Sequence, residues 1–303
     1  MYIKNEVLAK AYVITGPTSG IGYETALEVA NYGTVILVGR SLEKLLQVQK
    51  TITERGKKSV NIICDISDIN SVRNAAQQII DLKLPIYGLI NNAGIMPQKP
   101  TKSVQGWDIT FATNHLGAFA LTEALTHHLS DGANVVYMSS AAEDPESKPT
   151  KAFRMKGSRF ISVEASVRGE WKPGGTKLPG IDAYATSKQC MLAASMAFSR
   201  ENTRLRFNAI EPGMNGGTGL TGTTMFSRFL FDYIFKILPP FSRYASTPQQ
   251  SAKLITKILT DESGTTGVYF DHKGEPMQGS IQVRNIQFQD QIVAQTRTLL
   301  SKI

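Results

Sequence analysis

Thr15-Gly16-Pro17-Thr18-Ser19-Gly20-Ile21-Gly22 is the stretch whose reading decides the fold. The apolar run Ala11-Tyr12-Val13-Ile14 leads into it and reads as a short buried strand. Small and apolar residues at helical spacing from Tyr23 to Ala30 lead out of it. A strand, a glycine-rich turn and a helix together make a phosphate site. Glycines let the backbone turn sharply and approach a ligand, and the free N–H groups of the helix start face an anion. The spacing is Gly-x-x-x-Gly-x-Gly, not the Gly-x-Gly-x-x-Gly of the common dinucleotide fingerprint.

The same alternation continues outward. Thr34-Val35-Ile36-Leu37-Val38 is a β-branched apolar run of the kind a central parallel strand needs, and it ends at Gly39-Arg40. A helix is expected from Ser41 to Arg55, then a strand over Val60–Cys64 ending at Asp65, then a helix capped by Ser67 or Asp68. A fourth strand, Tyr87–Ile90, runs into Asn91-Asn92-Ala93-Gly94, and a long helical region spans roughly Val104 to Leu129. Val135–Met138 is a fifth strand ending at Ser139-Ser140, and Arg206–Ile210 a sixth, stopped by Glu211-Pro212-Gly213. With Val268–Phe270 this predicts an α/β fold, a doubly wound parallel sheet of about seven strands with helices on both faces. One Rossmann-like domain over residues 1–303 accounts for the pattern. In such sheets ligands bind at the carboxyl ends of the strands, where the polar residues just named all fall.

Residues 141–179 break the pattern, with prolines at 145, 149, 173 and 179, mixed charge and one candidate strand at Arg159–Val163. An irregular stretch this long inside a compact domain is normally functional or mobile. Helical spacing resumes from Ile181 to about Asn202 and contains Tyr184-Ala185-Thr186-Ser187-Lys188. Residues 214–245 make up a candidate substrate-lid region, a glycine-threonine loop over Gly216–Thr224 and then an expected helix over Met225–Leu238. There Arg228, Asp232 and Lys236 make a narrow polar stripe on the otherwise apolar segment Met225–Leu238, which suits a substrate lid, a membrane-surface contact or ordinary packing. Helices are expected again near Pro248–Leu259 and Asn285–Leu300.

Composition narrows the function. Hydrophobic residues make up 42% and charged ones 19%, which suits a globular chain. A formal charge of +8 favours an anionic partner. Basic residues are not interleaved with aromatics as in nucleic-acid modules, so a phosphorylated cofactor or a membrane surface is the better partner. The two cysteines are too few for a disulfide framework, and Cys64 and Cys190 read as small packing residues. The first ten residues lack the apolar core of a signal peptide, and no apolar run is long enough to span a bilayer. A cytoplasmic protein, at most peripheral to a membrane, is expected; self-association into a homo-oligomer stays open. His115, His127, His128 and His272 show no ligand spacing with carboxylates or cysteines, so no metal is expected.

Tyr184 and Lys188 are four apart on a predicted helix and share a face. A free phenol has a pKa of about 10, and a neighbouring ammonium lowers it, which makes the pair a general acid/base for carbonyl or alcohol chemistry.

These residues together resemble the short-chain dehydrogenase/reductases. The resemblance runs from Thr15 to the Pro212-Gly213 turn and less sharply beyond. It implies that Gly16, Thr18, Ser19, Gly20, Ile21 and Gly22 form the NAD(P) loop, and that Asn91, Ala93 and Gly94 border the adenosine part. Asp65, with Ile66 beside it, is similar to the family residue that contacts the adenine amino group, and Pro212-Gly213 closes the cofactor cleft. The family's catalytic tetrad falls on Asn114, Ser140, Tyr184 and Lys188, with Ser139 as an alternative to Ser140. Tyr184 would then exchange the proton with the substrate oxygen and Ser140 would hold that oxygen. Lys188 would lower the phenol pKa and bond the nicotinamide ribose, and Asn114 would anchor a relaying water. The strand-end position that holds a carboxylate in NAD-selective folds is Gly39 here, followed by Arg40, whose guanidinium suits a 2′-phosphate; NADP(H) is therefore expected over NAD(H).

Ser140 and Tyr184 lie 44 positions apart, and the long insert resembles the retinol dehydrogenase and protochlorophyllide reductase branch. Thr113-Asn114-His115-Leu116-Gly117 and Leu238-Pro239-Pro240-Phe241 share in that likeness, which implies a lipophilic carbonyl or alcohol substrate. Pro212-Gly213-Met214 departs from the Pro-Gly-Cys of the light-dependent reductases, and Thr218 is the nearest match to a family threonine after Pro-Gly. The competing reading is an idle NADP(H)-sensing protein on the same fold, but a sensor has no use for Tyr184 and Lys188.

Overall fold

The computed structural model describes residues 10–177, 180–215 and 244–303. The expected helix at 225–238, Thr218 and the 238–241 segment lie outside them. Strands β1 (Ala11–Thr15), β2 (Thr34–Gly39), β3 (Ser59–Ile63), β4 (Ile86–Asn91), β5 (Leu129–Met138) and β6 (Arg206–Ile210) pair in parallel. The short pair β7 (Met214–Asn215) and β8 (Ala245–Ser246) stands apart from this sheet. Strand β9 (Tyr269–Phe270) adds to the sheet in parallel and β10 (Pro276–Met277) antiparallel, giving eight strands in the order β10-β9-β6-β5-β4-β1-β2-β3. The edge strand β10 and the short pair β7 and β8 are not legible in the sequence; two residues carry no readable alternation.

Strand residues alternate between two cores, as the period of two requires. Val13, Ile36, Val38, Leu89 and Val135 face one, with α3 (Ile69–Asp81), α5 (Ala118–Thr126) and α8 (Ile181–Glu201) packed there. Tyr12, Ile14, Val35, Leu37 and Val136 face the other, covered by α1 (Gly20–Val29), α2 (Leu42–Glu54) and α9 (Pro248–Leu259). Burial on both faces makes the sheet doubly wound, and side-chain caps set the helix starts: Ser41 accepts from Lys44 N, Asp68 from Asn70 N and Thr247 from Gln250 N.

Two expectations are corrected. The helix expected from Val104 begins only at α4 (Ile109–Phe111), after a tight turn in which Lys102 bridges Asp108, and passes through a π-turn at Ala112–Gly117 before α5. The candidate strand Arg159–Val163 is not a strand. Ser162 accepts from Ala165 N and starts α7 (Val163–Arg168), while Phe160 packs edge-on against Phe288, so local capping overrides β-propensity. The 141–179 insert also holds a 3₁₀ turn (Ala141–Glu143) and α6 (Lys148–Ala152). At the C-terminus, α10 (Ile281–Arg284) precedes α11 (Ile286–Leu300), which packs on α8. Among the described residues no helix is long and apolar enough to cross a membrane.

Candidate active site

The glycine turn is held by side chains from the neighbouring strand end. Gly16 and Gly20 sit at φ +67° and +55°, where glycine is favoured. A Cβ on Gly22 would fall 2.2 Å from Gly16 O and 2.4 Å from Asn92 Nδ2, so only hydrogen fits. Asn92 Nδ2 donates to Thr15 O (2.9 Å) and Gly16 O (3.1 Å). Thr15 Oγ1 accepts from Asn92 N and Ala93 N, both at 3.0 Å. The sequence reading passed over Thr15 and Asn92; the paired asparagines after β4 were the available signal. Ser19 precedes α1 but caps none of its N–H groups, and the first turn carries no acid. The orphan donors of the helix start are therefore presented outward between Thr18, Ser19 and Ile21, which fits a diphosphate.

The other cofactor candidates follow along the same sheet edge. Arg40 follows β2 and is exposed, and Asp65 follows β3 with its Oδ1 accepting from Ser67 N (2.9 Å) and Ser67 Oγ (2.7 Å). Ile66 is buried; its carbonyl would lie 1.9 Å from a Cβ on Gly117, so that glycine lets the π-turn pass against it. Asn91 turns its amide inward, where Nδ2 donates to Thr122 Oγ1 at 2.9 Å, so only its backbone stands at the strand end. Pro212 and Gly213 follow β6; Pro212 O accepts from Asn215 Nδ2 (2.8 Å) and Ser251 Oγ (3.0 Å), and Gly213 has φ +76°.

The catalytic candidates are side chains brought in from three elements. Asn114 lies in the π-turn, completely buried: its Oδ1 accepts from Ile95 N (2.8 Å), and its Nδ2 donates to Ile95 O and Ser187 Oγ (both 3.0 Å). π-turns recur at functional sites because the extra residue re-aims a side chain. Ser140 follows β5 with its hydroxyl near the Tyr184 phenol, whereas Ser139 is buried behind it beside Tyr269. Lys188 Nζ donates to Met138 O at 2.6 Å and lies 5.5 Å from the centre of the Tyr184 ring. A Cβ on Gly94 would sit 3.4 Å from Asn114 Oδ1 and 3.5 Å from Lys188 Nζ, so the Asn91–Gly94 turn meets the catalytic cluster directly.

The electrostatics correct one expectation. Burial pushes the Tyr184 phenol up to about 12, against the nearby Ser140 hydroxyl, which pulls it down, and the Glu211 carboxyl adds to the rise. Lys188 is pushed down to about 7 by its own burial. A lysine that is only partly charged at neutral pH pulls weakly on its neighbour, so desolvation wins over the charge effect expected from the Tyr-x-x-x-Lys spacing. Glu211, which sequence reasoning missed, is itself pushed up to about 7 by burial. Its Oε1 accepts from Gly213 N (3.0 Å), and its Oε2 lies 3.8 Å from His272 Nδ1.

The short chain dehydrogenase family profile matches residues 10–152. Human retinol dehydrogenase 13 is 30% identical over 280 residues, covering 88% of this chain and 78% of its own. The chain belongs to the short-chain dehydrogenase/reductases, on their retinol dehydrogenase-like branch. Human polyprenol dehydrogenase is 37% identical over 138 residues, a match that spans 42% of that protein and 43% of this one. Among solved structures, a short-chain dehydrogenase from Shigella flexneri 2a complexed with NADP superposes with a TM-score of 0.62 at 26% identity, covering 89% of this chain and all of the other. The chain is thus an oxidoreductase by family, with the Rossmann-like fold expected.

Proposed function

We propose that the protein is an NADP(H)-dependent oxidoreductase that interconverts a lipophilic carbonyl and its alcohol. The observation that carries this reading is the meeting at Gly94 of the turn that borders the cofactor cleft with Asn114 and Lys188, one helical turn from Tyr184. The bound nicotinamide supplies or receives the hydride.

The chain's own residues do the rest. The uncapped N–H groups of α1 and the turn at Gly16–Gly22 hold the diphosphate, and Arg40 takes a 2′-phosphate that no strand-end carboxylate repels. The free face of Asp65 accepts from the adenine amino group. Ser140 donates to the substrate oxygen and fixes it against Tyr184. With its phenol at about 12, Tyr184 keeps its proton at neutral pH, so it is placed to protonate an oxygen as negative charge develops there. Lys188 is oriented by Met138 O and keeps donors for a ribose hydroxyl. Asn114, bonded on both sides to the Ile95 backbone, holds the floor of the site in place.

The substrate class rests on relatives named for retinol and polyprenol, both long apolar alcohols. NADPH and NADH consumption with a panel of apolar aldehydes, ketones and quinones tests the proposal. At least one substrate should be reduced with NADPH and more slowly with NADH; no consumption of either cofactor across the panel would contradict it.

A further inference from the structure

Next to Asn114 in the π-turn stands an imidazole that the chemistry above does not use. His115 is buried, and its ring lies between those of Phe111 (centroids 5.0 Å apart) and Phe119 (5.9 Å). Its Nε2 shares a hydrogen bond of 2.9 Å with Thr296 Oγ1, and its Nδ1 finds no partner among the described residues. Thr296 is completely buried on α11, 181 positions further along the chain. Burial pushes the imidazole down to about 3, so the ring is neutral at working pH and the bond carries no charge. An aliphatic side chain would fill the space between the two rings and leave no ring nitrogen unpaired. What the imidazole adds to that packing is one directional bond from the π-turn to α11.

The residues on either side of Thr296 fasten α11 to other elements. Gln295 Oε1 accepts from Val163 N at 3.0 Å, at the start of α7. Arg297 donates to Glu123 Oε1 on α5 and to Glu201 Oε2 on α8, both at 2.7 Å. Thr296 therefore meets the imidazole from a helix that is already anchored. On the other side of the bond, Asn114 depends on the turn keeping its extra residue. A slip back to α-helical register by one residue swings a side chain by about 100° around the axis. That rotation would take the Asn114 amide off the Ile95 backbone and off Ser187 Oγ.

We propose that His115 is a positioning residue: its bond to Thr296 ties the π-turn to the C-terminal helix and so keeps the Asn114 amide on Ile95 and Ser187. The tether stands without the oxidoreductase reading; its effect on turnover rests on that reading, through Asn114.

Two variants of the full chain test this. Thr296→Ser keeps the hydroxyl. The double variant His115→Leu/Thr296→Val replaces both partners with apolar groups of similar size, so the bond is lost with no nitrogen left orphaned. Hydrogen exchange of single amides is read by NMR without cofactor. The Ile95 amide, which donates to Asn114 Oδ1, reports the tether, and the Val13 amide on β1 reports global opening. In the double variant Ile95 should exchange about tenfold faster than in wild type with Val13 within about twofold, and Thr296→Ser should match wild type at both. No rise at Ile95, an equal rise at Val13, or the same rise in Thr296→Ser overturns the proposal. If the double variant does not fold, Thr296→Val takes its place, and Ile95 must then rise more than Val13. In NADPH-dependent reduction the double variant should lose about tenfold in kcat with the NADPH KM within about twofold, and Thr296→Ser should keep the wild-type rate. An Ile95 response with kcat unchanged overturns the link to turnover. Absence of any reduction by wild type counts against the oxidoreductase reading, and the exchange result then decides the tether.

Discussion

The turn at Gly16–Gly22 and the cluster of Ser140, Tyr184 and Lys188 share one edge of the sheet but are made from different parts of the chain. The first is backbone: glycines at positive φ, a helix start without a cap, and carbonyls fastened by Asn92. The second is side chain: a hydroxyl, a phenol and an amine, the last two buried, with desolvation moving the phenol and the amine in opposite directions. A backbone site tolerates almost no added atom and little depends on its charge state. A side-chain site keeps its shape through conservative changes but depends on where its protons sit. The two halves should therefore fail in different ways.

Gly22→Ala should break the backbone half most severely. Overlap with Gly16 O and Asn92 Nδ2 should lower NADPH affinity by about 10³-fold, or about 4 kcal/mol, as read by fluorescence titration. Affinity within threefold of wild type would show that the turn is not the phosphate site. Ser140→Ala should leave NADPH binding intact and lower kcat by about 10²-fold, the scale of losing one donor to a developing oxyanion. If Ser139→Ala has that effect and Ser140→Ala does not, the two serines exchange roles. Arg40→Ala should weaken NADPH about tenfold and leave NADH nearly unchanged, since one charge-assisted contact to an exposed phosphate is lost. Equal loss for both cofactors would sharpen the contrast differently, by removing charge selection from the cofactor half.

The difference between the halves also governs how much could be read from sequence. Glycine spacing reports backbone geometry, so the turn and the strands from Ala11 to Ile210 were legible from residue pattern alone. Tyr184 and Lys188 were legible as sharing a face, but their electrostatics were not, because desolvation depends on burial that no spacing encodes. The π-turn that re-aims Asn114 has no periodic signature, and Arg159–Val163 misled because Ser162 spends its hydroxyl on a helix cap. Glu143 and Glu211 look like ordinary surface acids in sequence; only the fold brings Ser280, Gln189 and Gly213 to them.

The most direct measurement compares wild type and Tyr184→Phe in NADPH-dependent reduction of the best substrate from the apolar carbonyl panel, with NADPH affinity measured on both proteins. Loss of the phenol proton should lower kcat by about 10²–10⁴-fold while NADPH affinity stays within about twofold. A Tyr184→Phe enzyme that turns over at the wild-type rate would show that the proton comes from elsewhere and contradict the account.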